Sequence, residues 1–130
     1  MTETKNFDVV MAGGGLMGCA TAYYLMLQDP TLKVAIVEME PSYEHNSTVL
    51  SDGNTRLQFN IKENIEISLY ALERLKTFSE DMAVGDWQPK LDFRQQGNLF
   101  LSDEANKANA IAGLKLQKEM NCGVEWLEPD

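Results

Sequence analysis

A glycine-rich turn between a short apolar run and a helical segment constrains the fold of this chain more than any other feature. The turn spans residues 13–18 (GGGLMG), in which Gly13, Gly15 and Gly18 match the pattern G-x-G-x-x-G. The run before it, residues 7–12, has the apolar character of a parallel strand covered on both faces. The three glycines allow a tight turn, close approach of a ligand to the backbone, and close packing of helix against strand. The sequence therefore predicts a strand–turn–helix unit.

The helix predicted over residues 16–27 offers its N-terminus to an anion. The backbone N–H groups of its first turn, at Leu16 and Met17, combine with the positive end of the helix dipole, so a phosphate needs no basic side chain there. Asp29-Pro30 ends the helix, because proline lacks an N–H and disfavours helical backbone in the residue before it.

A second predicted strand, residues 33–37, is followed by Glu38, which lies twenty positions after Gly18. A carboxylate at about this offset accepts hydrogen bonds from a ribose in dinucleotide-binding βαβ units. The glycine pattern alone is a weak signal, but strand, helix and acid stand in the order that such a unit requires. This combination of glycine pattern, strand, helix and acid therefore predicts a dinucleotide as the ligand. It does not distinguish NAD from FAD.

The long connection after Glu38 is polar and has no clear period, which is typical of functional or disordered loops. Within it, residues 47–56 (STVLSDGNTR) combine hydroxyl groups, the flexible Gly53 and the fixed charge of Arg56. The backbone N–H groups of such a loop can surround a phosphate or a polar ring edge.

The rest of the chain alternates helical and extended patterns. Apolar residues at steps of three and four predict an amphipathic helix over residues 62–81. A second helix is expected from an N-cap at Ser102 to about Asn121, closed by Gly123. One face of it carries Ala108, Ala112, Leu116 and Met120, which lie one turn apart. Strand pieces are expected at residues 91–94, 98–101 and 124–127.

Composition excludes several classes of function. With 44% hydrophobic residues the chain is expected to fold, and its formal net charge of −9 argues against binding to nucleic acid or anionic lipid. No membrane span or signal peptide is predicted, so a cytoplasmic location is expected. His45 is the only histidine and the two cysteines are far apart, so neither a histidine triad nor a metal site is predicted. Hydrolase and P-loop motifs are absent.

These motifs resemble the N-terminal part of the FAD-dependent amine and amino-acid oxidoreductases, the family of D-amino-acid oxidase, glycine oxidase, sarcosine oxidase and dimethylglycine dehydrogenase. The resemblance is carried by residues 7–18, 34–38, 53–56 and 93–101, and residues 47–69 are most similar to the branch of FAD-dependent oxidoreductase domain proteins linked to assembly of respiratory complex I.

This resemblance implies FAD as the cofactor and assigns its contacts. Gly13, Gly15 and Gly18 would bind the pyrophosphate together with Leu16 and Met17, and Glu38 the adenosine ribose. Ser51 would also contact the cofactor, and Thr55 and Arg56 would lie near the isoalloxazine ring. No catalytic residue can be named in this chain.

The implied fold class is α/β: a Rossmann-like FAD-binding unit followed by the start of an α+β substrate domain. The expected domains are residues 1–60, the N-terminal part of the FAD-binding domain, 61–90, a connecting helix and linker, and 91–130, the beginning of the substrate domain. Because later family strands have no counterpart here, the chain is expected to be an N-terminal fragment that is marginally stable or associates, and inactive by itself.

The expected reaction of the full form is oxidation of a C–N bond in an amine or amino acid, with electrons passing from FAD to oxygen, a quinone or a carrier protein. Two alternatives remain open from the sequence. One is an assembly or scaffolding protein that keeps the FAD fold and acts through partner binding. The other is an NAD-dependent dehydrogenase.

Overall fold

The computed structural model describes residues 4–128, and these form two compact units that divide between Asn54 and Thr55. The first unit contains strand β1 (Val9–Ala12), helix α1 (Leu16–Gln28) and strand β2 (Val34–Val37); the second contains helices α2 (Lys62–Asp81) and α3 (Lys107–Glu119). The predicted strand–helix–strand–helix order is therefore confirmed, whereas the assignment of residues 1–60 and 91–130 to separate functional domains stays a prediction.

The first unit is a βαβ unit. β1 and β2 pair in parallel with Val9 opposite Val34 and Ala12 opposite Val37, and α1 makes the crossover that parallel strands require. Two hydrogen bonds between Asp8 and Lys33 join the chain just before the two strands begin. The Asp8 N–H donates to the Lys33 carbonyl at 2.9 Å, and the Lys33 N–H donates to Asp8 Oδ2 at 2.8 Å.

Helix α1 packs on this sheet through its middle. Ala22 is buried and Leu25 is half-buried, whereas Met26 is 45% exposed. A four-residue strand is about 13 Å long, and a 13-residue helix about 20 Å. Helix α1 is therefore longer than either strand, which agrees with the exposure of Met26 in its last turn.

In the second unit, α2 has the bounds that its apolar period predicts. Its predicted stripe faces the interior: Ile65 is fully buried, and the other members are half-buried, namely Leu69, Leu72, Leu75 and Phe78. A continuous apolar stripe at helical spacing outweighs the absence of a side-chain cap at the start of this helix.

Helix α3 begins later than predicted, after Asn106 rather than Ser102. The Asp103 carboxylate accepts the Asn106 N–H at 2.9 Å, and this local bond holds a separate turn ahead of the helix. The buried positions of α3 are Gly113 and Gln117. Of the apolar face that the sequence indicates, Leu116 and Met120 are half-buried, whereas Ala108 and Ala112 are exposed.

Asn121, and not Gly123, closes α3. Asn121 has a left-handed backbone with φ 57°. Its N–H donates to the Lys118 carbonyl and the Cys122 N–H donates to the Gln117 carbonyl, both at 3.0 Å. This pair of bonds is a Schellman motif, in which the residue after the C-cap adopts left-handed backbone.

The strands predicted at residues 91–94, 98–101 and 124–127 are not formed. A strand is stabilised by hydrogen bonds to a neighbouring strand, and no such partner lies beside these segments in the described part of the chain. Leu99 and Leu101 are accordingly 74% and 91% exposed. Between residues 4 and 128, no helix has both the length and the apolar character needed to cross a bilayer.

Candidate functional site

The glycine turn joins the end of β1 to the start of α1. Gly13 has φ +97°, which L side chains rarely adopt, and its N–H donates to the Val37 carbonyl at 2.8 Å. A Cβ on Gly18 would lie far inside van der Waals contact with the Gly13 carbonyl oxygen. The first and third glycines therefore have the roles that the sequence predicts, a tight turn and close packing of helix on strand.

Glu38 lies directly beside this turn. Its Oε2 accepts the Gly14 N–H at 2.6 Å and its Oε1 accepts the Glu40 N–H at 2.9 Å. Hydrogen bonds from the Glu40 and Gly14 N–H groups lower the pKa of Glu38 below its ordinary value, so the carboxylate is ionised at neutral pH. Each oxygen keeps a further acceptor site, which suits a ribose hydroxyl.

The loop after β2 covers the glycine turn with polar side chains. Thr48 Oγ1 accepts the Leu16 N–H at 3.3 Å, and the side-chain amide of Asn46 lies 3.0 Å from where a Cβ on Gly15 would be. The Tyr43 hydroxyl lies 2.6 Å from the corresponding position on Gly14. A side chain at Gly14 or Gly15 would therefore require the Tyr43 or Asn46 side chain to move.

Sequence reasoning missed Gly14, Tyr43, Asn46 and Thr48. Gly14 occupies a variable position of the motif, and its constraint arises from the distant Tyr43, which has an unusual left-handed backbone with φ 60°. Thr48 lies in the hydroxyl-rich run that the sequence marks as a binding loop. However, no period in that run distinguishes Thr48 from its neighbours.

The structure brings six of the predicted contact residues together at the turn, namely Gly13, Gly15, Leu16, Met17, Gly18 and Glu38. Leu16 and Met17 are 63% and 78% exposed, so the start of α1 is open to solvent. Ser51 belongs to the same unit, and its hydroxyl donates to the Thr48 carbonyl at 2.8 Å. Ser51 therefore supports the turn that carries Thr48.

Thr55 and Arg56 belong to the second unit. The Arg56 guanidinium carbon lies over the ring of Phe59, 4.8 Å from its centroid, and over the ring of Phe100 at 5.4 Å. Both separations are within the range of cation–π attraction. Arg56 is thus held against two aromatic faces of its own unit.

No group of three histidine, cysteine or acidic side chains in residues 4–128 is arranged to hold a metal ion. The chemistry that this part of the chain supports is binding. The first unit has exposed backbone at a helix N-terminus and an ionised carboxylate, and the second unit has a cation held against aromatic rings.

The chain is 35% identical over 127 residues to FAD-dependent oxidoreductase domain-containing protein 1 of Bos taurus, and 36% identical over 127 residues to the protein of that name in Xenopus laevis. It is 38% identical over 130 residues to mitochondrial L-2-hydroxyglutarate dehydrogenase of Homo sapiens. These alignments cover 95%, 95% and 96% of this chain but 26% of each relative. The chain therefore spans about a quarter of the length of these relatives. No solved structure matches it.

A family model described as FAD dependent oxidoreductase matches residues 8–130, nearly the whole chain. The glycine turn and Glu38 suit either NAD or FAD, and this match decides between them in favour of FAD. The relatives include a hydroxy-acid dehydrogenase, so the family match does not single out amine oxidation. The chain belongs to the family of FAD-dependent oxidoreductases, and its cofactor is FAD.

Proposed function

We propose that the first unit of this chain binds the adenosine diphosphate part of FAD. The observation that carries the proposal is the hydrogen bond from the Gly14 N–H to Glu38, because it places an ionised carboxylate beside a glycine turn and an open helix N-terminus. In FAD the pyrophosphate is next to the adenosine ribose. In the first unit, the N–H donors that suit a pyrophosphate are likewise next to the Glu38 carboxylate, an acceptor that suits a ribose hydroxyl.

The residues present fit this group. The glycines add no side chain of their own to the turn, and the N–H of Leu16 donates to the Thr48 hydroxyl, a neutral oxygen that a phosphate oxygen can replace. Glu38 would repel a ribose 2′-phosphate, which favours FAD over phosphorylated dinucleotides.

When bound, FAD accepts the two electrons and the hydrogen that leave a substrate carbon as a hydride equivalent. Of the residues of this chain, we assign the pyrophosphate to Gly13, Gly15, Leu16, Met17 and Gly18, the ribose to Glu38, and the isoalloxazine ring to Thr55 and Arg56. The Ser51 loop supports Thr48. An arginine keeps its charge at every physiological pH, so Arg56 would stabilise negative charge on its ligand.

The proposed reaction of the whole protein is oxidation of a carbon bearing an amino group, as the resemblance to amine and amino-acid oxidoreductases suggests. A second candidate is oxidation of a carbon bearing a hydroxyl group. The identity of 38% with a protein named L-2-hydroxyglutarate dehydrogenase favours it. In both, the substrate carbon would lose a hydride equivalent to the bound flavin and the substrate amino or hydroxyl group would lose a proton, with oxygen, a quinone or a carrier protein as the final electron acceptor.

The binding proposal is tested by titrating the purified chain with FAD and following flavin absorbance and fluorescence. We expect saturable binding, competition by ADP, and weaker competition by ADP carrying a 2′-phosphate. Glu38→Gln should weaken binding on the order of tenfold, because the ribose hydroxyl would donate to a neutral amide oxygen instead of an ionised carboxylate. Glu80→Gln makes the same charge change at an exposed position of α2 and should leave FAD binding unchanged.

Equal binding by wild type and Glu38→Gln would contradict the assignment of the ribose to Glu38. Absence of FAD and ADP binding would contradict the proposal as a whole and favour a scaffolding role. The substrate class is decided separately, by following flavin bleaching in the natural polypeptide on addition of amino acids and of 2-hydroxy acids.

A further inference from the structure

Arg56 is held by aromatic rings rather than by an acid. Its guanidinium carbon lies 4.8 Å from the centroid of Phe59 and 5.4 Å from that of Phe100. A guanidinium stacked on ring faces is restrained in orientation, but the N–H groups around its edge remain available as donors.

The backbone segments that carry the two rings are joined to each other and to α3 by side-chain bonds within the second unit. Gln58 Nε2 donates to the Asn98 carbonyl at 2.8 Å, which ties the segment of Phe59 to that of Phe100. Gln117 Nε2 donates to the Phe59 carbonyl at 3.1 Å, and Gln117 is only 7% exposed. The Phe59 backbone is therefore anchored to α3.

The charge of Arg56 is not neutralised by an internal acid. The chain has 20 acidic and 11 basic residues, so carboxylates are plentiful. Arg94, for example, pairs with Asp92 at 2.6 Å, yet none of the ion pairs formed by residues 4–128 includes Arg56. A restrained arginine without an acidic partner in so acidic a chain is suited to an anion that comes from outside.

We propose that Phe59 and Phe100 are positioning residues, which hold the Arg56 guanidinium with its edge open for the part of FAD that becomes negative on reduction. This inference rests on the proposed assignment of Arg56 to the isoalloxazine ring. Ring faces restrain the cation without consuming its charge, whereas a carboxylate in their place would compete with the flavin for it.

The first measurement needs no cofactor. In the NMR spectrum of the chain, the side-chain signals of Arg56 should be displaced upfield by ring currents. They should return toward ordinary positions in Phe100→Leu, which removes one ring from a site that is 55% exposed. Phe93→Leu is the matched control, because Phe93 is 47% exposed and is not stacked on Arg56. Unshifted Arg56 signals in the wild type would overturn the proposal.

The second measurement is the flavin reduction potential of the natural polypeptide with FAD bound. Phe100→Leu should weaken the preference for reduced over oxidised flavin about tenfold, a fall of about 30 mV for a two-electron couple. Phe100→Tyr keeps the ring face and should restore the wild-type potential, and Phe93→Leu should leave it unchanged. A merely structural role for Phe100 would not produce this pattern.

The outcomes separate the two proposals. If FAD does not bind to the wild type, the proposed function fails and this inference fails with it. If FAD binds to every variant but Phe100→Leu has the potential of Phe93→Leu, the positioning role alone is overturned. Phe59→Leu removes the other ring and so gives an independent test. The flavin reduction potential of this variant should move in the same direction as that of Phe100→Leu.

Discussion

The Gly14 N–H donates to Oε2 of Glu38 at 2.6 Å, across 24 positions of sequence. This bond joins the turn after β1 to the end of β2, and so connects the two parts of the dinucleotide fingerprint before any ligand is bound. It also means that Glu38 contributes to folding as well as to binding. The two contributions can be separated, because the folding contribution depends on pH in the absence of ligand.

Glu38 should make the chain less stable in acid. Hydrogen bonds from Glu40 and Gly14 hold its folded pKa below the ordinary value of 4.5. A depressed folded pKa gives stability that is present above the unfolded pKa and lost as the pH falls through the folded pKa. Glu38→Gln should therefore reduce the free energy of unfolding at about pH 7 and have less effect at about pH 3.

The measurement is urea unfolding at both pH values, followed by circular dichroism, for wild type, Glu38→Gln and the exposed control Glu80→Gln. Other acids also have lowered pKa values, including Asp29 beside Thr31, so only the difference between wild type and variant reports on Glu38. A difference that stays constant between the two pH values would show that the Gly14 bond does not depend on the charge.

Gly18→Ala should destabilise the chain more than Gly14→Ala. The new Cβ at position 18 would collide with the backbone carbonyl of Gly13, which cannot move without breaking the turn. At position 14 it would meet the Tyr43 hydroxyl at 2.6 Å, the tip of a side chain that can rotate away. We expect a loss of about 2–3 kcal/mol for Gly18→Ala and less for Gly14→Ala.

Urea unfolding midpoints give these differences. Tyr43→Phe removes the hydroxyl that Gly14→Ala would meet, so the double variant should recover much of the loss from Gly14→Ala. The same Tyr43→Phe change should not rescue Gly18→Ala. Equal losses at the two glycines, or no rescue at position 14, would contradict the contacts described for the turn.

The sequence was sufficient wherever one local pattern determines structure. The glycine turn, the offset of Glu38 and the apolar stripe from Ile65 along α2 each place their elements correctly, because period and glycine positions act within a few residues. The sequence did not predict structure correctly where contacts with residues far away in the chain determine it. Residues 98–101 have a strand pattern without a strand beside them, and the contacts of Tyr43 and Thr48 with the turn depend on how a loop without a period folds back.

Gln117 is a further case that the sequence concealed, because a glutamine in a helix is usually exposed. It is 7% exposed and donates to the Phe59 carbonyl at 3.1 Å. Gln117→Leu preserves much of the volume but leaves that carbonyl without this donor, so it should cost about 1–3 kcal/mol in the free energy of unfolding. The exposed Gln95→Leu is the control for the loss of an amide, and a similar cost at both positions would show that the bond is not important.

Replacement of Asn121 by glycine should stabilise the chain, whereas the same replacement of an asparagine inside a helix should destabilise it. Its φ of 57° is left-handed, and an L side chain there costs energy that glycine avoids. Asn121→Gly should therefore raise the free energy of unfolding by up to about 1 kcal/mol, and Asn121→Val should lower it by about 1–2 kcal/mol.

Asn109, an exposed residue within α3, is the matched site for these two substitutions. There Gly should lower the free energy of unfolding by about 0.5 kcal/mol and Val should change it little, because the backbone is ordinary helix. Thermal unfolding followed by circular dichroism gives all four values. A loss of stability in Asn121→Gly similar to that in Asn109→Gly would mean that α3 is not closed by left-handed backbone at Asn121, and that Gly123, with φ +65°, closes the helix as its sequence position first indicated.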